Sequence, residues 1–201
     1  NGKITGKKAG TTIVKATAVN GVSANVTVEI KDPIYFQDVP TDSWFYEAVK
    51  YAYQNRIIMG YNKHEFGSYD YVTRGQLVTM LWRLEGEPET NNIQNRFTDV
   101  DVNSYYGAGV KWASANGIVN GYGGTNKFGP NDPIIRQDFT VILNNYIRYK
   151  GLEQEGTQDL KIYADYNRVA GGYAEHAIRW ATTYGIMNGM TIDGRKYISP
   201  F

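Results

Sequence analysis

Two arginines are the residues most able to do chemistry in this chain. Arg74 is followed by Leu77, Met80, Leu81 and Leu84, and Arg136 by Phe139, Ile142, Leu143 and Tyr146. Both runs have the spacing of an amphipathic helix, with the arginine at its first position. A cation there faces the positive end of the macrodipole, at a cost of roughly 0.3–1 kcal/mol. The same poor electrostatic choice made twice calls for compensation. One form is internal, an ion pair with Asp38, Asp99, Asp165 or a neighbouring carboxylate. The other is an anionic ligand held by the guanidinium together with the free N–H groups of the helix start. Both remain open at this level, and they can coexist.

Other chemistry finds less support. The 201 residues include no Cys, which removes disulfides, thiolate metal sites and Cys nucleophiles. Asp99-Val100-Asp101-Val102-Asn103 begins like a calcium loop, yet Ser104 and Val110 stand where an EF-hand needs Gly and Glu. His64 and His176 occupy unrelated positions, and no phosphate loop or nucleophile-elbow motif appears. No metal, cofactor or catalytic residue is therefore expected. A formal charge of +1 argues against nucleic acid as partner, and no apolar run has the length of a membrane span. Seventeen Tyr give many flat apolar faces carrying a hydroxyl, suited to packing and to glycan contact.

The elements that must position the arginines recur along the chain. Phe36-Gln37-Asp38-Val39 returns as Phe97-Thr98-Asp99-Val100 and as Tyr163-Ala164-Asp165-Tyr166. Each is followed by an aromatic, Trp44, Tyr105 or Tyr173, heading a short helix that Asp42 or Ser43 is placed to cap in the first copy. Trp44, Ala48 and Ala52 form an apolar stripe there, and their equivalents line the other two helices. The helices end in Arg56-Ile57-Ile58-Met59-Gly60, Gly117-Ile118-Val119-Asn120-Gly121 and Gly185-Ile186-Met187-Asn188-Gly189. The first residue of each phrase reads as a left-handed C′ cap, so Arg56 is expected at positive φ. Variable loops then lead to Phe66-Gly67, Phe128-Gly129-Pro130 and Ile198-Ser199-Pro200. Thr73 and Gln76 make a capping box for the second helix of copy one. Ile135 cannot cap its counterpart, which leaves Asp132 or water to do so. Upstream, Thr12 to Ala18 and the alternating run Val22 to Lys31 flank Asn20-Gly21, the signature of a hairpin with a two-residue turn. Asp32-Pro33 marks a boundary after it.

The repeated pattern resembles the S-layer homology (SLH) domain, over about residues 34 to 201. The stretch from Gly2 through the hairpin resembles the C-terminal part of a bacterial Ig-like domain of the type-2 class. The implied organisation is 1–32 partial Ig-like β-domain, 34–90 and 95–151 full repeats, and 161–201 a truncated third. The implied fold is mainly α, a pseudo-threefold assembly of helix-loop-helix repeats around a helical bundle, with a short N-terminal β-hairpin. The resemblance further implies anchoring at the extracellular bacterial cell wall, through a pyruvylated, anionic secondary cell-wall polysaccharide bound in grooves between repeats. Carried over by motif position, the binding residues are Arg74 and Arg136, the aromatics Trp44, Tyr105 and Tyr173, the loop-entry glycines Gly60, Gly121 and Gly189, and Asp38, Asp99 and Asp165. The motif reads Thr73-Arg74-Gly75-Gln76 and Ile135-Arg136-Gln137-Asp138, without the family's Glu. Two other readings stand beside this one: an SLH-derived protein-interaction or assembly module, and the targeting end of a wall-active enzyme with its catalytic domain elsewhere. A bundle suited to three equivalent second helices holds only two here, so more chain or another chain is expected to complete it.

Overall fold

The computed structural model describes residues 10–30 and 34–199, which form five α-helices and two small antiparallel hairpins, a mainly α chain. Asp32-Pro33 and the start of the Ig-like stretch lie outside the described residues. Two compact units divide at Tyr69 and Asp70, inside the first copy.

In the first unit, β1 (Gly10–Thr17) pairs with β2 (Ser23–Ile30) from Gly10↔Ile30 to Thr17↔Ser23. Their connection is longer than the expected two-residue turn. Gly21 N donates to Ala18 O and Ala18 N to Val22 O, which leaves a three-residue loop with Gly21 at φ 82°. That is the type I turn plus left-handed residue that glycine accommodates without strain. Helix α1 (Tyr46–Gln54) buries Val49 against Ile34, Phe36 and Val39, with Phe45, Tyr46, Tyr53 and Phe66 around them. Neither Asp42 nor Ser43 caps it. The chain makes turns through Ser43, whose carbonyl accepts from Tyr46 N, and the cap position falls to Phe45. Trp44 therefore precedes the helix and is 93% exposed, with Ala48 also exposed, so the expected stripe is not the buried face of α1.

The second unit contains α2 (Arg74–Leu84), α3 (Gly107–Ala115), α4 (Arg136–Tyr149) and α5 (Glu175–Thr183), then β3 (Met190–Ile192) and β4 (Arg195–Tyr197). Helix α2 packs on α3, and α4 on α5: the second helix of one copy lies against the first helix of the next. Close approach explains the small residues on α3, since a Cβ at Gly109 would lie 3.0 Å from Thr79 Cα. The buried face of α2 is rotated from the one expected. Val78 and Thr79 are fully inside and Leu84 is exposed, because the face turned to α3 starts at Gly75. One core gathers Leu77, Val78, Val110, Trp112, Ile118 and Phe128, a second Leu160, Ile178, Trp180 and Ile198. Leu143 and Ile147 of α4 border both, which makes α4 the shared wall.

The three copies repeat in detail. Gln37, Thr98 and Ala164 each donate their amide to the carbonyl of His64, Asn126 or Lys196, all at 2.8 Å. Arg56 has φ 59°, as its place in the series requires. The loop-entry glycines combine positive φ with contact. A Cβ at Gly121 (φ 74°) would meet Lys127 O at 2.5 Å and the Phe97 ring at 2.6 Å, and Gly60 and Gly189 face the equivalent carbonyls and the rings of Phe36 and Tyr163. The aromatic that opens each copy is thus the lid over its glycine. Gly124, at φ 73°, has nothing within 4 Å of the same position. Gly124→Ala is expected to cost only the left-handed penalty of about 1–2 kcal/mol, and Gly121→Ala clearly more, in urea unfolding. Equal losses would show that the ring and carbonyl contacts are unimportant.

Candidate anion-binding site

Both motif arginines stand at the first residue of their helices, α2 and α4. There the likeness ends.

Arg74 is 5% exposed. Its Nε donates to Phe128 O at 2.8 Å and its Nη1 to Asp138 Oδ2 at 2.7 Å. The guanidinium lies over the rings of Tyr122 and Phe128, 4.7 and 5.1 Å from their centroids. Tyr122 is itself tied by its hydroxyl to Asp132 Oδ2 at 2.7 Å. The other oxygen of Asp138 accepts a short hydrogen bond from Tyr173 Oη, and Gln137 Nε2 donates to that same hydroxyl at 2.8 Å. Burial, and then the bond to Asp138, push the Tyr173 hydroxyl up to about 12. The first amides of α2 are also spent: Arg74 N donates to Asp132 O at 3.0 Å and Gly75 N to Pro130 O at 2.9 Å. Asp132 therefore serves the start of α2 through its carbonyl and is not the cap of α4. The internal form of compensation holds at Arg74, with Asp138 as partner in place of Asp38, Asp99 or Asp165.

Arg136 is exposed and has no ion-pair partner among the described residues. It lines a groove of about 300 Å³ with Asp70, Tyr71 and Val72 before α2, Ile134, Phe139 and Thr140, and Ile186 and Met187 after α5. Ile135 supplies no side-chain cap, so the first turn of α4 has none.

The carboxylates of the opening motifs face inward in all three copies. Asp38 accepts from the amides of Phe66, Gly67 and Ser68 at 2.7–2.8 Å. Asp99 accepts from Phe128 and Gly129, and Asp165 from Ile198 and Ser199. Burial alone would raise the Asp38 carboxyl, but these amides outweigh it and hold the value at about 2, and Asp99 is lowered by the same balance. Trp44, Tyr105 and Tyr173 all sit in the turn before their helices with exposed rings, a consequence of helices that begin two residues later than the stripe implied. Tyr122, Phe128, Asp138 and Asp70 escaped the sequence reading as site residues. Asp138 stands at the Glu position of the motif, and that was its available signal.

Among the described residues no cluster of three or more His, Asp or Glu is placed to hold a metal, and no helix is long and apolar enough to cross a membrane.

Comparison with known proteins agrees with the repeated geometry. Residues 35–78 and 96–140 each match the model of the S-layer homology domain. The chain is 30% identical over 141 residues, 68% of its length, to the surface-layer 125 kDa protein of Lysinibacillus sphaericus, of which it spans 12%. It is 26% identical over 194 residues, 94% of its length, to an endoglucanase of Bacillus sp. (strain KSM-635), spanning 19% of that protein. It is 24% identical over 161 residues, 80% of its length, to an exoglucanase of Acetivibrio thermocellus, spanning 14%. The chain thus covers less than a fifth of each of these relatives. It carries S-layer homology repeats, a non-catalytic module that anchors surface proteins to the cell wall.

Removing Arg74 strands Asp138, a carboxylate only 17% exposed. Arg74→Ala is expected to cost about 3–5 kcal/mol in thermal or urea unfolding, the range for breaking a buried pair. Arg74→Lys should recover part of it, because an ammonium cannot serve Phe128 O and Asp138 along two fixed directions. On acidification, a carboxyl lowered in the fold stabilises fully above its ordinary 3.8 and loses that contribution as pH falls through about 2. Asp38→Asn should flatten the acid limb of the stability profile in that window; an unchanged limb would exclude the clamp as its source.

Proposed function

We propose that this chain attaches an extracellular protein non-covalently to an anionic secondary cell-wall polysaccharide, with Arg136 as the residue that meets the acid group. The observation that carries this reading is Arg136 itself, exposed, with no ion-pair partner among the described residues and bordering a groove at the start of α4. A carboxylate there gains a charge-assisted bond and the favourable end of the helix dipole. Ile134, Phe139, Ile186 and Met187 supply apolar wall for a group such as the methyl of a pyruvate ketal. The exposed rings of Trp44, Tyr105 and Tyr173 suit stacking on sugar faces. In this reading Gly60, Gly121, Gly189, Asp38, Asp99 and Asp165 act indirectly, by fixing the loops. Arg74 contributes from inside, holding the turn that carries Arg136. The repeats are assigned to 34–90, 95–151 and 161–201 in a pseudo-threefold arrangement, after an Ig-like segment at 1–32.

A second reading is supported by the two glucanases among the relatives. The module then forms the targeting end of a longer polysaccharide-active enzyme, its catalytic domain lying outside this chain. The two readings share the anchoring step.

Co-sedimentation with purified wall polymer, intact and stripped of its ketal, tests the shared step. Arg136→Ala is expected to weaken binding about 10–100-fold, the worth of one charge-assisted hydrogen bond, and ketal removal to do the same to the unsubstituted chain. Undiminished binding by Arg136→Ala would remove the proposed contact.

A further inference from the structure

We infer that the surroundings of Arg74 form a carboxylate-binding seat that the chain fills with its own Asp138. Two donors converge on the acid from different copies: Arg74 Nη1 on Oδ2 and Tyr173 Oη on Oδ1. Each donor is fixed independently of the acid. The guanidinium plane is held by Nε on Phe128 O and by the rings of Tyr122 and Phe128. The Tyr173 oxygen accepts from Gln137 Nε2, so its own hydrogen is turned toward Asp138. A planar anion offered one donor per oxygen, one of them a buried and pre-oriented guanidinium, is a carboxylate recognition geometry. Helix α4 supplies the acid, on a single methylene tether, and the Gln137 amide that orients Tyr173.

The seat therefore outlasts its occupant. Truncating Asp138 to Ala frees the volume of a carboxylate group between the same two donors, and the partial exposure of that position leaves the methyl group of acetate a way toward solvent. With Asp138 present the seat is closed, and of the two motif arginines only Arg136 is offered to an anion from outside. This inference does not depend on the wall-anchoring reading, since it concerns small carboxylates and folding stability alone.

The test is acetate rescue of Asp138→Ala, read as melting temperature at constant ionic strength with chloride as the balancing anion. A saturable rise of about 3–6 °C is expected at a tenfold excess over the acetate dissociation constant, as ligand linkage in a chain of this size predicts. The unsubstituted protein, Asp138→Asn, whose amide still fills the seat, and the double variant Arg74→Ala/Asp138→Ala should show no such rise. Addition of Arg136→Ala to Asp138→Ala should leave it intact, which separates this seat from the wall-binding groove. If Asp138→Ala is unfolded in chloride, acetate is expected to restore its near-ultraviolet dichroism, and the double variant to stay unfolded. No rise or recovery with acetate, or an equal one in the double variant, overturns the inference.

Discussion

The buried guanidinium of Arg74 is the constraint around which the second unit is arranged. An ion taken out of water costs several kcal/mol unless its hydrogen bonds and its charge are both answered. Answering them draws on both other copies: the Phe128 carbonyl and Tyr122 ring from the second copy's loop, Asp138 from the second copy's second helix, and, through Asp138, Tyr173 from the turn of the third. The same loop sends the Pro130 and Asp132 carbonyls to the first amides of α2. Gly75 follows from this, since a Cβ there would lie 2.7 Å from Pro130 O. The first two amides of α2 are thus capped by a neighbouring copy, through backbone, over a positive charge.

The contrast with Arg136 is one of environment. Both residues open a helix of the same kind, yet one is enclosed and the other borders a groove. A guanidinium already engaged by protein acceptors has little left for a ligand, whereas an exposed one spends its interaction on whatever docks. One arginine is held inside the scaffold, and the other is exposed beside the groove.

Much of this was legible in the sequence where the determinant is local. The repeat spacing, the Thr73–Gln76 capping box, the left-handed Arg56 and the helical placement of both arginines depend on a few neighbouring residues, and all are present. What escaped depends on partners distant in the chain. The rotated face of α2 is set by the approach of α3 at Gly109, which no periodicity within α2 reveals. The stripe headed by Trp44 failed because Ser43 and Phe45 are taken up in turns, so that α1 starts at Tyr46. Hairpin β3–β4 is a local exception: Asp193-Gly194 is its two-residue turn signal, but with only three residues per strand it reads as one more variable loop. The pairing of Arg74 with Asp138 joins residues in separate helices, and sequence spacing is silent on it.

That pairing has a local origin all the same. In the first copy the third helical residue, Gln76, turns back to accept from Thr73 N while Thr73 Oγ1 accepts from Gln76 N. A side chain so engaged cannot reach another copy. In the second copy the cap position is Ile135, which has no hydroxyl to complete a box, and the third helical residue is the acid Asp138. Released from capping, that acid points across to the next available cation, Arg74. Loss of the cap at α4 and closure of the pocket at α2 are therefore two sides of one arrangement. The uncapped first turn of α4 that results is the one that carries Arg136.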